Sequence, residues 1–318
     1  MSKLRTEDKK KAADVIIPVY RPDERLFTLL ERLAAQTVKP RKIILVNTGR
    51  EIWEKAGADE KLLNSAAAPL SEVYHVTETA FDHGGTRNLA VRFSAAPYFV
   101  MMTQDAVPAD RRLLENLLSC MDGRVKMSYA RQLPRKDADL LERFSRRFNY
   151  GPESRTRTEE DLPELGIKTW FASDVCAAYE REAFDAVGGF VDHTVFNEDM
   201  IFCAELLKAG YAVRYCAEAR VIHSHHYTGL QQLRRNFDLA VSQTEHPEVF
   251  AGVRSESEGV RMVLSNARWL VRKKRADLIP DLIKISACKY LGYRLGKAYR
   301  VLPPALVKKI STNRNYWK

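Results

Sequence analysis

The sequence predicts an α/β fold in which a mostly parallel central sheet is followed by a C-terminal helical extension. Short, β-branched apolar runs alternate with helical patterns over the first 120 residues, and this order is typical of βαβ units. Polar residues follow the predicted strands, as in sheets that bind ligands at their carboxyl edge. We expect a flexible tail over residues 1–13, an α/β domain over 14–256 and a basic helical extension over 257–318.

Four apolar runs are the predicted strands of the first half, each short and β-branched enough to be buried on both faces. They are Asp14–Val19, Lys42–Val46, Val73–Val76 and Tyr98–Thr103. Leucines at helical spacing after Pro22-Asp23 predict the first helix, which Pro40 terminates. A second helix follows Gly84-Gly85 and runs through Phe93.

The second half mixes strands and helices. Its predicted strands are Val125–Gln132, Ser173–Tyr179 and two short ones, Ala212–Tyr215 and Ala219–His223. Its predicted helices are Asp137–Phe148 and Glu198 to about Lys208, the latter ended by Gly210.

The charge is distributed unevenly along the chain. The net charge is +10, but the segment from Arg261 onwards holds 15 Lys and Arg against Asp277 and Asp281, while the remainder holds 36 bases and 39 acids. A body without excess positive charge disfavours nucleic acid as a partner. The basic tail favours an anionic surface, such as a membrane.

Cysteine usage and hydropathy indicate a cytoplasmic protein. The five cysteines stand singly, which is typical of reduced thiols and not of a disulfide framework. The first residues are polar, so we expect no signal peptide, and no run of about 18 apolar residues is present. The tail is expected to lie on the inner face of the cell membrane or, alternatively, to pack on its own domain or on a second copy.

Five motifs stand in a fixed order along the chain: VIIPVYRPD, FDHGGTRNLA, TQDAVP, a GGF turn followed by FNEDM, and VIHSHHY. None is specific alone, but their order is. On these motifs, the chain resembles the inverting glycosyltransferase family 2 enzymes of the GT-A fold over roughly residues 14–240, and among them the bacterial rhamnosyltransferases. The resemblance implies transfer of L-rhamnose from dTDP-rhamnose to a glycan acceptor, expected to be lipid-linked.

Asp105 is the candidate ligand of a divalent cation, Mg²⁺ or Mn²⁺. A cation that bridges a carboxylate and the donor diphosphate stabilises the charge that develops as the sugar–phosphate bond breaks. The family carries Asp-X-Asp at this place, whereas this chain has Thr103-Gln104-Asp105, so only Asp105 matches. Alternatively, Asp105 is an ordinary turn residue before Pro108.

A histidine cluster is the second candidate for the metal site, and the resemblance assigns His223 to it. His225 and His226 fit structural roles as well as ligand roles. Zinc is disfavoured, because the sequence places no cysteine or carboxylate beside these histidines.

Asp199 is the candidate catalytic base, by its match to the Asp of the family's Glu-Asp pair. Inverting transfer needs one carboxylate that accepts the proton of the acceptor hydroxyl, and a helix N-terminus favours the ionised carboxylate. Glu198 is expected to orient the acceptor or the helix end. The alternative is that both acids only begin a helix.

The donor site is expected to combine nucleoside contacts with a phosphate-binding helix start. Tyr20, Arg21 and Asn47 are assigned to the nucleoside; the family commonly has Asp in place of Asn47. The remaining donor-binding candidates are Asp82, Gly84, Gly85, Arg87, Gln104 and Asp105.

Three other functions stay open at this point. One is the same reaction with another donor, such as a UDP-hexose. The second is a nucleotidyltransferase, although VIIPVYRPD lacks the glycine-rich basic loop that such an enzyme needs. The third is a non-catalytic glycan- or membrane-binding protein, which the incomplete Asp-X-Asp supports and Asp199 opposes.

Overall fold

One mixed sheet runs through the described residues of the computed structural model, which are 11–78, 82–253 and 256–317. Within them, the strands are β1 Ala13–Val19, β2 Ile43–Thr48, β3 Ser71–Val76, β4 Tyr98–Met102, β5 Val107–Pro108, β6 Val125–Leu133, β7 Arg155–Arg157, β8 Cys176–Glu180 and β9 Ala212–Ile222. Their order in space is β3-β2-β1-β4-β8-β6-β9-β5, with β7 paired to β9.

Strand direction places several chain segments at one edge of the sheet. β1 to β4 are parallel to one another, and β6 is parallel to β9, whereas β8 is antiparallel to both β4 and β6. The carboxyl end of β4 therefore meets the start of β8, where Thr103 N donates to Val175 O at 3.2 Å. The carboxyl ends of β6 and β9 meet where His223 N donates to Leu133 O at 2.9 Å.

The helices cover both faces of the sheet. They are α1 Glu24–Ala34, α2 Arg50–Lys55, α3 Ala58–Leu63, α4 His83–Arg92, α5 Leu113–Ser119, α6 Leu140–Asn149, α7 Leu162–Leu165, α8 Arg181–Ala186, α9 Glu198–Lys208, α10 Gly229–Glu245, α11 Pro247–Phe250, α12 Glu256–Arg272, α13 Ile279–Lys297 and α14 Pro304–Ile310. The leucine face of α1 is buried on one side of the sheet, and Phe99, Tyr179 and Phe202 pack on the other. The predicted α/β class and the helical extension are confirmed.

Two predicted strand boundaries were wrong. The segments Ala212–Tyr215 and Ala219–His223 form the single strand β9, because a register shift opposite Ala130 and Arg131 lets the strand continue past residues 217–219. Strand β8 begins at Cys176 and not at Ser173. Asp174 precedes the ladder, and its backbone N–H donates to the Asp199 carboxylate instead.

The C-terminal extension packs on the α/β domain through α13, which runs alongside α10. A Cβ atom at Gly292 would overlap the carbonyl oxygen of Leu233, and one at Gly296 would overlap that of Phe237, so only glycine permits this approach. The predicted boundaries between tail, domain and extension stay predictions. Residues 1–10, 254 and 255 lie outside the described residues, and Ala13 already belongs to β1.

Apolar residues recur at helical spacing along α13, and they divide between two faces of the helix. Leu282 is buried and Leu295 packs against the apolar cluster that contains Phe237. In contrast, Ile283, Tyr290 and Leu291 are 60%, 56% and 51% exposed. Some of these residues therefore cover the protein, and others face solvent. No helix in the described residues is long and apolar enough to span a bilayer.

Candidate active site

Asp105, His223 and His225 form a compact group at the sheet edge, which we call the Asp–His cluster. Asp105 follows β4 and the two histidines follow β9, so the sheet topology brings them together. His223 Nε2 lies 3.5 Å from Asp105 Oδ1, and His225 Nε2 lies 3.6 Å from Asp105 Oδ2. The two Nε2 atoms are 2.9 Å apart.

Hydrogen bonding fixes which nitrogen of His223 faces the cluster. Its Nδ1 lies 2.9 Å from Gln132 Oε1, an acceptor, so Nδ1 carries the proton and Nε2 presents its lone pair. Burial lowers the pKa of His223 well below its ordinary value, and the neighbouring His225 lowers it further. Burial also lowers the pKa of His225, although Asp105 opposes this shift. Both imidazoles are therefore neutral, as a metal ligand requires.

The chemistry of these three side chains fits a divalent cation. Two imidazole nitrogens and one carboxylate converge within 4.8 Å of one another. A nitrogen–nitrogen separation of 2.9 Å is what neighbouring ligands adopt around a cation at about 2.1 Å. The sequence argument that the histidines lack a carboxylate neighbour was wrong, because Asp105 supplies one from a distant part of the chain.

A second group of acids surrounds Arg87, and we call it the carboxylate cluster: Asp174, Glu198 and Asp199. Arg87 Nε lies 3.1 Å from Asp174 Oδ2, and its NH1 group lies 3.1 Å from Glu198 Oε1. The guanidinium therefore joins α4 to the start of α9. Three carboxylates face one cation here, so ionisation of all three is disfavoured.

The pKa values of these acids diverge. Burial raises the pKa of Asp199 well above its ordinary value, and the charges of Glu198 and Asp174 raise it further. Burial raises the pKa of Asp174 to about 6, against the attraction of Arg87. Burial acts to raise the pKa of Glu198, but the charges of Arg87, His83 and Arg235 and a backbone hydrogen bond together lower it below its ordinary value. Raised basicity is the property that a general base needs.

Hydrogen bonds hold the Asp199 carboxylate in place. Its Oδ2 accepts from Asp174 N at 3.2 Å, and its Oδ1 accepts from Met200 N at 2.8 Å. Asn197, directly before α9, adopts a left-handed backbone with φ 64° and donates from Nδ2 to Leu239 O at 3.1 Å. The strained start of α9 is thus anchored to α10.

Gln132 and Ser173 connect the two clusters. Gln132 accepts from His223 through Oε1, and its Nε2 donates to Ser173 Oγ at 3.0 Å. Ser173 is followed by Asp174, whose N–H reaches Asp199. The Asp–His cluster and the carboxylate cluster therefore belong to one site.

The predicted nucleoside contacts lie at the ends of β1 and β2. Gln104 pairs with the backbone of Tyr20 in both directions at 2.9 Å, and the Arg21 guanidinium lies over the Tyr20 ring. Asn47 is fully buried and donates from Nδ2 to Gly49 O at 3.0 Å. Its Oδ1 has no donor among the described residues. Their roles toward a nucleoside stay predictions.

The predicted phosphate-binding helix start has another local function. Asp82 caps α4 by accepting from Gly85 N at 2.7 Å and also accepts from His193 N at 3.1 Å. A Cβ atom at Gly84 would overlap Val191 O, so this glycine serves a close backbone approach. The Gly85 amide is thus occupied by Asp82, and Arg87 pairs with two carboxylates; the assignment of both residues to the donor stays a prediction. Phe81 of this motif lies outside the described residues.

Sequence reasoning did not identify three residues of the site: Gln132, Asp174 and, as a ligand, His225. A sequence signal for His225 did exist. Residues i and i+2 of an extended segment point the same way, so His225 could have been placed on the same side as His223. Gln132 and Asp174 had none, since only the pairing of β6, β8 and β9 brings them to this edge.

Comparison with known proteins identifies the family. The family model described as Glycosyl transferase family 2 matches residues 14–188, more than half of the chain. The chain belongs to glycosyltransferase family 2. It is therefore a glycosyltransferase, and the nucleotidyltransferase and binding-only interpretations are not retained.

Two curated relatives match the glycosyltransferase over nearly its whole length. The O-antigen chain rhamnosyltransferase RfbN of Salmonella typhimurium is 36% identical over 308 residues, covering 95% of each chain. The O-antigen chain rhamnosyltransferase WbaN of Salmonella anatum is 35% identical over 309 residues, again with 95% of each covered. The predicted resemblance to rhamnosyltransferases is confirmed.

Solved structures confirm the GT-A fold. The mannosyltransferase PcManGT of Pyrobaculum calidifontis, in complex with GDP-Man and Mn²⁺, superposes with a TM-score of 0.56 at 16% identity, covering 96% of this chain and 84% of that one. GalNAc-T7 with UDP, GalNAc and Mn²⁺ superposes with a TM-score of 0.53 at 13% identity, covering 83% of this chain and 57% of that one.

Proposed function

We propose that this enzyme transfers L-rhamnose from dTDP-rhamnose to a lipid-linked cell-surface glycan, with inversion and with Asp199 as the base. The observation that carries the reaction is the half-buried Asp199 carboxylate. Its pKa is raised well above the ordinary value by loss of solvation and by the charges of Glu198 and Asp174. The donor sugar is supported by the two relatives, which are O-antigen chain rhamnosyltransferases at 35–36% identity.

Asp199 accepts the proton of the acceptor hydroxyl as that oxygen attacks the anomeric carbon. The new carbon–oxygen bond forms on the face opposite the breaking sugar–phosphate bond, so one displacement inverts the configuration. No second carboxylate is required as a nucleophile. Arg87 holds Glu198 and Asp174 beside Asp199, and their negative charges raise its proton affinity.

The Asp–His cluster would hold the divalent cation, with Asp105, His223 and His225 as ligands. When bound, the ion neutralises charge that develops on the departing diphosphate. Gln132 fixes the tautomer of His223, so its lone pair is already directed at the site. The mixed nitrogen and oxygen donors fit Mn²⁺ better than Mg²⁺, which prefers oxygen ligands.

Asn47 supports a pyrimidine nucleotide as the donor. Its buried Oδ1 lacks a donor in the described residues, and the N3–H of thymine or uracil could satisfy it. Guanine presents donors and acceptors in a different pattern. A UDP-hexose remains the second candidate donor, because Asn47 contacts an edge that both pyrimidines share.

Thermal unfolding with a panel of donors tests this assignment. We expect dTDP-rhamnose with Mn²⁺ to raise Tm more than UDP-glucose or GDP-mannose do, because a ligand that binds only the native state stabilises it by mass action. Product analysis with the same panel should show dTDP release only with an acceptor glycan, and NMR should show inverted anomeric configuration. A larger shift with a UDP-sugar would replace the donor, and a retained configuration would exclude Asp199 as base in a single displacement.

The extension supports a membrane-bound acceptor. Val260, Leu264 and Val271 of α12 are 60%, 51% and 58% exposed, and they recur at helical spacing beside Arg261 and Arg268. Exposed apolar side chains among bases suit an interfacial helix on anionic headgroups. Each base near such a surface contributes on the order of 1 kcal/mol.

Flotation with anionic and neutral liposomes at two salt concentrations tests this surface. We expect salt-sensitive binding to anionic vesicles, weakened at least several-fold by Leu264→Ser with Leu291→Ser. Leu63→Ser is the matched control, because Leu63 is 76% exposed but lies on α3, far along the chain from the basic extension. Absence of binding to either vesicle type, with a dimer in solution, would instead make these helices an interface between two copies.

A further inference from the structure

Two cations at the mouth of the active site form no ion pair in the part of the chain that the structure describes, although Glu198 and Asp238 lie within electrostatic range of one and Glu142 of the other. Arg235 lies on α10 and Lys289 on α13, and both are partly buried. Neither forms an ion pair there, in contrast to Arg87 and Arg146, which bind Glu198 and Glu142. A partly buried cation without a counter-charge is costly, so such groups commonly serve a ligand.

Arg235 lies between the two clusters of the site. Its guanidinium carbon is 4.8 Å from the ring centre of Tyr227 and 5.2 Å from that of Phe196. Tyr227 stacks on His225 with ring centres 4.8 Å apart, and Phe196 stands three residues before Asp199. Aromatic faces orient the guanidinium while leaving its N–H groups free to donate.

Lys289 comes to the same place from the extension. A Cβ atom at Gly229, the first residue of α10, would lie 3.0 Å from the Sγ atom of Cys288, so α13 passes close to the start of α10. Burial lowers the pKa of Lys289; Glu142 opposes this, and Arg146 and Arg235 lower it further. Glu142 is itself bound to Arg146 Nε at 2.7 Å, so the nearest acid is already paired.

We propose that Arg235 and Lys289 form a phosphate-binding site shared by the catalytic domain and the helical extension. Phosphate carries the charge and the acceptor oxygens that an oriented guanidinium and an ammonium bind best. The site deepens the proposed function and rests on it, because a nucleotide-sugar donor carries a diphosphate and a lipid-linked acceptor can carry phosphate. Both sources present the same chemistry to these side chains.

Binding of inorganic pyrophosphate and of dTDP, each with Mn²⁺, tests the site by calorimetry. Arg235→Gln and Lys289→Gln should each weaken pyrophosphate binding about tenfold, the loss expected for one charge-assisted hydrogen bond. Lys284→Gln is the matched control, because Lys284 lies on α13 but is exposed. Arg235→Lys should recover part of the affinity, because it restores the charge without the planar fork.

Steady-state kinetics then identify the source of the phosphate. Weaker dTDP binding with an unchanged KM for the acceptor assigns the site to the donor diphosphate. A raised acceptor KM with unchanged dTDP binding assigns it to a phosphate on the acceptor.

Wild-type affinity for pyrophosphate and dTDP in both variants, together with an unchanged acceptor KM, would overturn the site. If Arg235→Gln fails to fold by circular dichroism, Lys289→Gln decides alone. The pyrophosphate measurement does not depend on the sugar. Loss of pyrophosphate binding in an enzyme that proves inactive with dTDP-rhamnose would therefore reject the donor assignment and keep the phosphate site.

Discussion

The Asp–His cluster and the carboxylate cluster lie on one edge of the sheet, but they differ in charge. The first joins one carboxylate to two imidazoles that burial keeps neutral, so its lone pairs attract a cation. The second gathers three carboxylates around Arg87, so one of them, Asp199, gains affinity for a proton. One sheet edge, with the helices α4 and α9 that pack on it, can thus hold a group suited to a cation apart from a group suited to a proton.

Replacing Asp199, the proposed base, should give the largest effect. We expect Asp199→Asn to lower turnover by on the order of 10³-fold or more, since general base catalysis contributes about 10²–10⁴. The affinity for dTDP with Mn²⁺ should stay near that of the wild type, because Asp199 acts on the acceptor proton and not on the nucleotide. Single-turnover kinetics and calorimetry measure the two quantities.

Asp185→Asn is the control for that change, because Asp185 is exposed on α8 and outside both clusters. Turnover of Asp199→Asn at a tenth or more of the wild-type value would show that Asp199 only begins a helix. A parallel loss of dTDP affinity would show that Asp199 also contributes to nucleotide binding, and that the two clusters do not act independently.

The sequence predicted the elements with local signals better than the elements that depend on pairing with distant strands. The strands up to β4 are local apolar runs, and α9 was predicted with its observed bounds, because its pattern and Gly210 are local signals. The single strand β9 was missed, since its continuity depends on pairing with β6 across a register shift.

Side-chain partners were harder to predict than candidate residues. Asp105, His223 and Asp199 could be chosen from motifs, but the ion pairs of Arg87 could not, because Asp174 and Glu198 are distant in sequence. The sequence also could not show which apolar residues of α13 are buried and which are exposed. Helical spacing alone does not show which face of α13 packs on α10. The close contacts of Gly292 and Gly296 with the α10 backbone identify that face.

Removing one imidazole should give an intermediate effect that is confined to the Asp–His cluster. We expect His225→Ala to weaken Mn²⁺-dependent dTDP binding about 10–100-fold, whereas Asp199→Asn leaves it intact. His226→Ala is the matched control, because its side chain is 45% exposed and faces Asp137 at 3.8 Å instead of Asp105. Equal metal dependence in His225→Ala and the wild type would remove His225 from the ligand set.

The smallest expected effect is on the free energy of unfolding of Asp199→Asn. Its pH dependence shows whether Asp199 is charged in the folded carboxylate cluster. Because the pKa of Asp199 is higher in the folded state than in the unfolded chain, the folded protein binds this proton more tightly. The free energy of unfolding therefore falls as pH rises above the unfolded pKa of about 4, until the folded pKa is passed. Asn cannot ionise, so Asp199→Asn should gain stability relative to the wild type as pH rises.

Urea unfolding at pH 5 and pH 8 measures this difference. One pKa unit corresponds to about 1.4 kcal/mol, so the relative gain between the two pH values measures how far the pKa of Asp199 is raised within that range. The amide also changes the hydrogen bonds from Asp174 N and Met200 N, but that cost is the same at both pH values and cancels in the comparison. Asp185→Asn should show no such pH-dependent gain. A stability difference that stays constant with pH would mean that Asp199 is ionised at pH 5 already, and that the carboxylate cluster does not raise its basicity.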